Sequence, residues 1–140
     1  MSTHHCKAIA IHCMDYRFIT AIREHIESLD LTERYDDVAV AGSTLAVSRP
    51  HDAPGGDFIL EQVRISHELH GIRQVVLINH QNCGAYGEME DASGERMQHE
   101  TDLRKAAKVI QDRFPDLDVV CYFATLSEKG SKRTIGFEKV

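Results

Sequence analysis

The chain has 140 residues, 42% of them hydrophobic, and a formal net charge of -6. That is enough apolar material for one buried core and too little for two ordinary domains, so residues 1–140 are expected to form a single domain. Its 16 lysines and arginines are scattered, which leaves no basic stripe for a phosphate backbone and argues against nucleic acid as a partner. No apolar run approaches the roughly 20 residues that span a bilayer, and the start, MSTHHCK, lacks an apolar signal core, so no membrane partner and a cytoplasmic location are expected.

In chain order, KAIAIHC (7–13) alternates and is rich in small apolar residues, as a buried strand is. RFITAIREHIESLD then changes period, with Phe18, Ile19, Ile22, Ile26 and Leu29 on one helical face. DVAVAG (37–42) is a second strand, and STLAVSRPHDAPGG reads as loop. Asp57 is the expected N-cap of a helix with Ile59, Val63, Ser66 and Leu69 inward and Gly71 as its stop. QVVLIN (74–79) is the third strand. Residues 84–98 read as a short helix or turn and a mobile connection. ETDLRKAAKVIQDRF presents Leu103, Ala106, Ala107, Ile110 and Phe114 on one face and is ended by Pro115. DVVCYFA (118–124) is the fourth strand, and after a turn at SEKGSK, RTIGFEKV is expected as an antiparallel edge strand. Such alternation predicts an α/β fold, a mainly parallel sheet of order 2-1-3-4 plus that edge strand, with helices on both faces.

In that order the chain reverses between strands 1 and 3, and the crevice opens at their carboxyl ends. The first end reads HCMDYR and the other NHQNCG. Cys13, His80 and Cys83 then make a two-sulfur, one-nitrogen set suited to tetrahedral zinc, with the fourth position open to Asp15 or a water. Cys83 and Gly84 are expected to open a helix whose amides favour the thiolate. Arg17 can hold the Asp15 carboxylate by a paired guanidinium contact. Cys6 and Cys121 read as buried structural thiols. His4 and His5 read as a frayed polar terminus, with at most an adventitious metal site beside Cys6. His12 alternates away from Cys13 and reads as a packed histidine.

The blocks CMDYR and HQNCG, with FILEQVRISHELHGIRQVVLINHQNCG and AAKVIQDRFPDLDVVCYF around them, resemble the β-class carbonic anhydrases over roughly residues 7–124. The resemblance implies zinc on Cys13, His80 and Cys83, and a catalytic pair, Asp15 and Arg17, that gates or orients the fourth ligand. It also implies CO2 and bicarbonate as substrate and product, and a homodimer. The chain departs from the family pattern at Tyr16, where Ser is usual, and at Ala39-Val40-Ala41-Gly42-Ser43, where only Ala-Gly matches. It has no counterpart of the family's helical N-terminal arm before Lys7.

The implied reaction is reversible hydration of CO2 by a zinc-bound hydroxide, since zinc lowers the pKa of water from about 16 toward about 7. With two thiolates cancelling the metal's charge, turnover is expected to improve above neutrality. Alternative readings keep the metal and change what it does, either as a zinc hydrolase of carbonyl sulfide or carbon disulfide, or as a non-catalytic zinc module.

Overall fold

The computed structural model describes residues 4–140; the first three residues of the polar start lie outside the described residues. Five strands form one sheet in the order β2-β1-β3-β4-β5: β1 (Ala8–His12), β2 (Tyr35–Ala39), β3 (Gln74–His80), β4 (Asp118–Lys129) and β5 (Lys132–Lys139). The first four run parallel and β5 pairs antiparallel with β4. The expected order and the antiparallel edge are both present.

Alternation along the strands sorts two apolar layers. Ile9, Ile11, Val75 and Leu77 face one side, where they pack with residues of α2 (Leu45–Ser48), α3 (Gly56–His70) and α4 (Ala92–Arg113). Ala8, Ala10, Val76 and Ile78 face the other, against α1 (Ile19–Ile26) through Ile22 and Ile26. The helices therefore cover both faces. Four of the five β1 residues are apolar and all five are buried, as a strand covered on both sides requires.

Several boundaries differ from the sequence reading. α1 is followed over Glu27–Leu31 by a kinked turn in which Asp30 has φ 63, so Leu29 is only partly buried, and Ile19 is exposed. β2 begins two residues early and releases the chain after Ala39, because Asp36 and Asp37 find polar partners in Ser66, His70 and His12. The stretch read as loop contains α2. Gly55, with φ 103, rather than Asp57 is the N-cap of α3, and Leu69 faces solvent while Ile59, Val63 and Ser66 are buried. The mobile connection is mostly the start of α4, capped by Asp91, whose side chain accepts from the Gly94 amide at 2.6 Å. β4 continues to Lys129, because its outer half is the first arm of a hairpin that turns at Gly130, φ 62.

Gly56 meets a steric demand of packing. A Cβ there would lie 2.5 Å from the carbonyl oxygen of Ala46, so α2 and α3 can approach this closely only over a bare backbone.

Candidate metal centre

β1 and β3 are neighbours, and the loops leaving their carboxyl ends face each other where the chain reverses direction across the sheet. Cys13, one residue past β1, meets His80, the last residue of β3, and Cys83. One ligand atom from each lies within 4.8 Å of the other two, and all three residues are buried. The expected convergence of two segments almost seventy residues apart is thus present in the fold.

Strand alternation puts His80 on the same face as Val76 and Ile78, where its ring lies 4.1 Å from that of Phe18. Its Nδ1 is 2.8 Å from the carbonyl oxygen of Gln81. A carbonyl can only accept, so Nδ1 carries the proton and Nε2 is left with a lone pair. That Nε2 is buried and has no hydrogen-bond partner among the described residues. A buried acceptor beside two sulfurs, with its tautomer set by a backbone carbonyl, suits a borderline-soft dication such as zinc.

The two sulfurs are unequal. Cys83 donates to Cys13, and that bond, with the amides of Gly42 and Asp15, holds the Cys13 thiol well below its ordinary range. The same bond, with burial, pushes Cys83 up, against the pull of the Ala85 and Tyr86 amides. One proton is thus shared by two sulfurs that a cation would bind as thiolates. The expected helix after Cys83 is only a single 3₁₀ turn, Gly84–Tyr86, so local amides rather than a long helix dipole serve the sulfur. Gly42 has φ 81, and a Cβ there would press on Leu45 and Ala85 at 3.1 to 3.2 Å. A glycine is what brings its amide to Cys13.

Asp15 and Arg17 form a closed pair. Arg17 donates from Nη2 to Asp15 Oδ2 at 2.7 Å and from Nε to Oδ1 at 3.1 Å, and its backbone amide donates to Oδ1 at 3.0 Å. These bonds hold the Asp15 carboxyl below the usual carboxylate range. Asp15 Oδ2 stands 3.9 Å from His80 Nε2, so the carboxylate is at the edge of the sulfur-nitrogen cluster. The guanidinium reaches further, donating from Nη1 to Asn82 Oδ1 and from Nη2 to the Asn82 carbonyl, each at 2.9 Å. One side chain therefore ties the loop after β1 to the loop after β3. A cleft of about 690 Å³ opens here, lined by Cys13, Asp15, Arg17, Ala41, Asn82 and Ala85 among others.

Sequence reasoning missed Asn82 and a buried polar network behind the cluster. Asn79 Oδ1 accepts from Thr44 Oγ1 at 2.9 Å, and its Nδ2 lies 2.9 Å from the Tyr86 hydroxyl and 3.0 Å from His99 Nδ1. Arg49 donates to the buried Asp102 at 3.1 Å and stacks over the Tyr86 ring. The network braces the Gly84–Tyr86 turn that follows Cys83. Only the alternation of Asn79 against His80 and the nearness of Tyr86 hinted at it, since Thr44, Arg49, His99 and Asp102 come from distant segments. His12 is packed as expected, 2.7 Å from Asp37, and Cys121 is buried. Cys6 is not the buried thiol expected, being half-buried beside Asp36 and His70.

Fold and site together define a mainly parallel α/β protein with a buried Cys-His-Cys cluster at its strand-order switch. Over residues 3–132 the chain matches the family model described as "Putative carbonic anhydrase", and it belongs to that family. An uncharacterized protein of Rickettsia conorii is 30% identical over 124 residues, covering 84% of this chain and 67% of that one. Another, of Rickettsia bellii, is 29% identical over 124 residues, covering 84% and 76%. Among solved structures, a carbonic anhydrase from Glaciozyma antarctica has a TM-score of 0.49 at 20% identity, covering 88% of this chain and 79% of that one. One from Streptococcus mutans has a TM-score of 0.49 at 14% identity, covering 89% and 80%.

Proposed function

We propose that the protein catalyses the reversible hydration of carbon dioxide, CO2 + H2O giving HCO3⁻ + H⁺, with zinc held by Cys13, His80 and Cys83. The observation that carries this reading is the position of Asp15. Arg17 engages both of its oxygens, while the buried His80 Nε2 nearby has no hydrogen-bond partner among the described residues. A purely structural site would be served by a fourth protein ligand. Here the nearest carboxylate is restrained by a guanidinium, which supports a three-residue set with one position left for the reaction.

Zinc bound there would supply Lewis acidity, bringing the pKa of water toward neutrality. The chain's own residues would do the rest. Cys13 and Cys83 would hold the ion as thiolates, and the Gln81 carbonyl would keep His80 in the ligating tautomer. Asp15, kept ionised by Arg17, would accept a hydrogen bond from the attacking water and so fix its orientation toward the carbon of CO2. Ala41 and Ala85 give the cleft apolar wall for a small uncharged substrate. Met14 and Tyr16, 64% and 81% exposed on the same cleft, support a homodimer that covers this mouth, which light scattering on the purified chain would test.

The decisive experiment is stopped-flow CO2 hydration on protein carrying about one zinc per chain at these ligands, beside a Cys83→Ser control. Activity that vanishes in the control with its zinc establishes the reading. A zinc-loaded chain inactive on CO2 but active on carbonyl sulfide transfers the same machinery to that substrate. Inactivity on both sinks the enzymatic reading and leaves a zinc module.

A further inference from the structure

The amino ends of the parallel strands carry a second convergence of donor atoms, at the opposite edge of the sheet from Cys13 and His80. Cys6 precedes β1, Asp36 is the second residue of β2, and His70 closes α3. One ligand atom from each lies within 4.8 Å of the other two, and all three residues are half-buried. Regular structure fixes the approach. The Cys6 amide donates to the His70 carbonyl at 3.0 Å, β1 and β2 pair in register through Ile9 and Asp36, and Gly71, φ 62, ends the helix beside them.

A carboxylate bonded to a histidine is common and by itself indicates nothing. Asp36 Oδ2 accepts from Ser66 Oγ at 2.6 Å and lies 2.7 Å from His70 Nδ1, and that arrangement is complete without a thiol. Cys6 is the feature it leaves unexplained. Its sulfur lies within 4.8 Å of a carboxylate oxygen and a ring nitrogen, and it also donates to the Ala8 carbonyl at 3.5 Å and accepts from the Asp36 amide. A sulfur set against an anionic oxygen is a placement that a cation between them would make favourable. The ring of His4 lies 4.8 Å from that of His70, so a further imidazole stands at the cluster.

We propose that Cys6, Asp36 and His70 form a second metal site, for a borderline divalent transition ion of which zinc is the foremost candidate. One thiolate, one imidazole and one carboxylate are a donor set that zinc accepts and that hard cations such as magnesium or calcium do not favour. Binding would release the Cys6 proton to solvent and leave a neutral three-ligand ion, with the fourth position for solvent or His4. Because the ligands come from the start of β1, the start of β2 and the end of α3, the bound ion would pin the amino edge of the sheet. The site acts in folding stability rather than in turnover and does not depend on the proposed hydration reaction.

The test is zinc stoichiometry and affinity on the full chain by competition with a chromophoric chelator, followed by cobalt substitution. Wild type is expected to bind a second equivalent. Cys6→Ser and His70→Gln should each lose it, or hold it at least about tenfold more weakly, while keeping the equivalent bound by Cys13, His80 and Cys83. Cobalt on a Cys13→Ser/Cys83→Ser variant should show a thiolate-to-cobalt absorption that disappears when Cys6→Ser is added. Wild type that saturates at one equivalent overturns the proposal, as does a second equivalent indifferent to Cys6→Ser. Should the double variant fail to fold, the Cys6→Ser comparison in the otherwise native chain decides alone.

Discussion

Arg17 does two things at once: it restrains Asp15 and it bridges to Asn82 on the other loop. Lysine has the charge but not the planar fork, so Arg17→Lys is no conservative change here. Arg17→Ala is expected to lower kcat for CO2 hydration by about 10- to 100-fold while zinc content stays near one per chain at the Cys13 site. Stopped-flow rates beside metal analysis check this, and loss of zinc in step with rate would show that Arg17 instead builds the metal site. His99 offers a pH readout. Burial, with the nearby His80 and Arg49, depresses its pKa to about 3, below the ordinary value near 6.5. Between those values the unfolded chain binds a proton that the folded chain refuses, so stability falls as pH drops below about 6.5. The slope is up to about 1.4 kcal/mol per pH unit. Urea midpoints at several pH values should show a shallower acid loss in His99→Gln than in wild type. Parallel curves would mean that His99 protonates freely when folded.

Among the elements, α2 and α3 approach closely at Gly56. Helix propensity alone would make Gly56→Ala stabilising by about 1 kcal/mol, but the new methyl would sit 2.5 Å from the Ala46 oxygen, and overpacking of this kind costs about 1–3 kcal/mol. Net destabilisation is the expected outcome in chemical denaturation. A stabilised variant would mean that α2 yields easily. At the start of α4, Asp91→Ala removes the cap on Gly94 and should cost about 1 kcal/mol, measurable as a lower denaturation midpoint. The early start of α4 was illegible for a physical reason. The residues it buries at this end are His99 and Asp102, and a search for apolar periodicity passes over a buried face that is polar. α2 was hidden differently, being a single helical turn among loop-forming residues and ended before Pro50 and Pro54.

At the scale of the molecule, metal and fold are linked. Any ion that binds the folded chain alone stabilises it by mass action, about 2.7 kcal/mol when free metal is a hundred times Kd. Zinc addition to chelated protein should therefore raise Tm by several degrees. A Tm indifferent to zinc would mean that the thiols and His80 do not hold it in the folded state. Among the described residues no helix is long and apolar enough to cross a membrane.

By itself the sequence determined the strand order, the side of the sheet where chemistry could gather, and the meeting there of Cys13, His80 and Cys83 beside Asp15 and Arg17. It could do so because strand alternation and ligand spacing are local patterns, and the rule for parallel crossovers turns local patterns into topology. Tertiary structure alone decided what lies behind and away from that cluster. Asn79 meets Thr44 across 35 positions, Arg49 meets Asp102 across 53, and Arg17 meets Asn82 across 65. The meeting of Cys6 with Asp36 and His70 is of the same kind. Polar contacts at such separations depend on which faces and strand ends the packed core brings together, and no spacing within one segment encodes that.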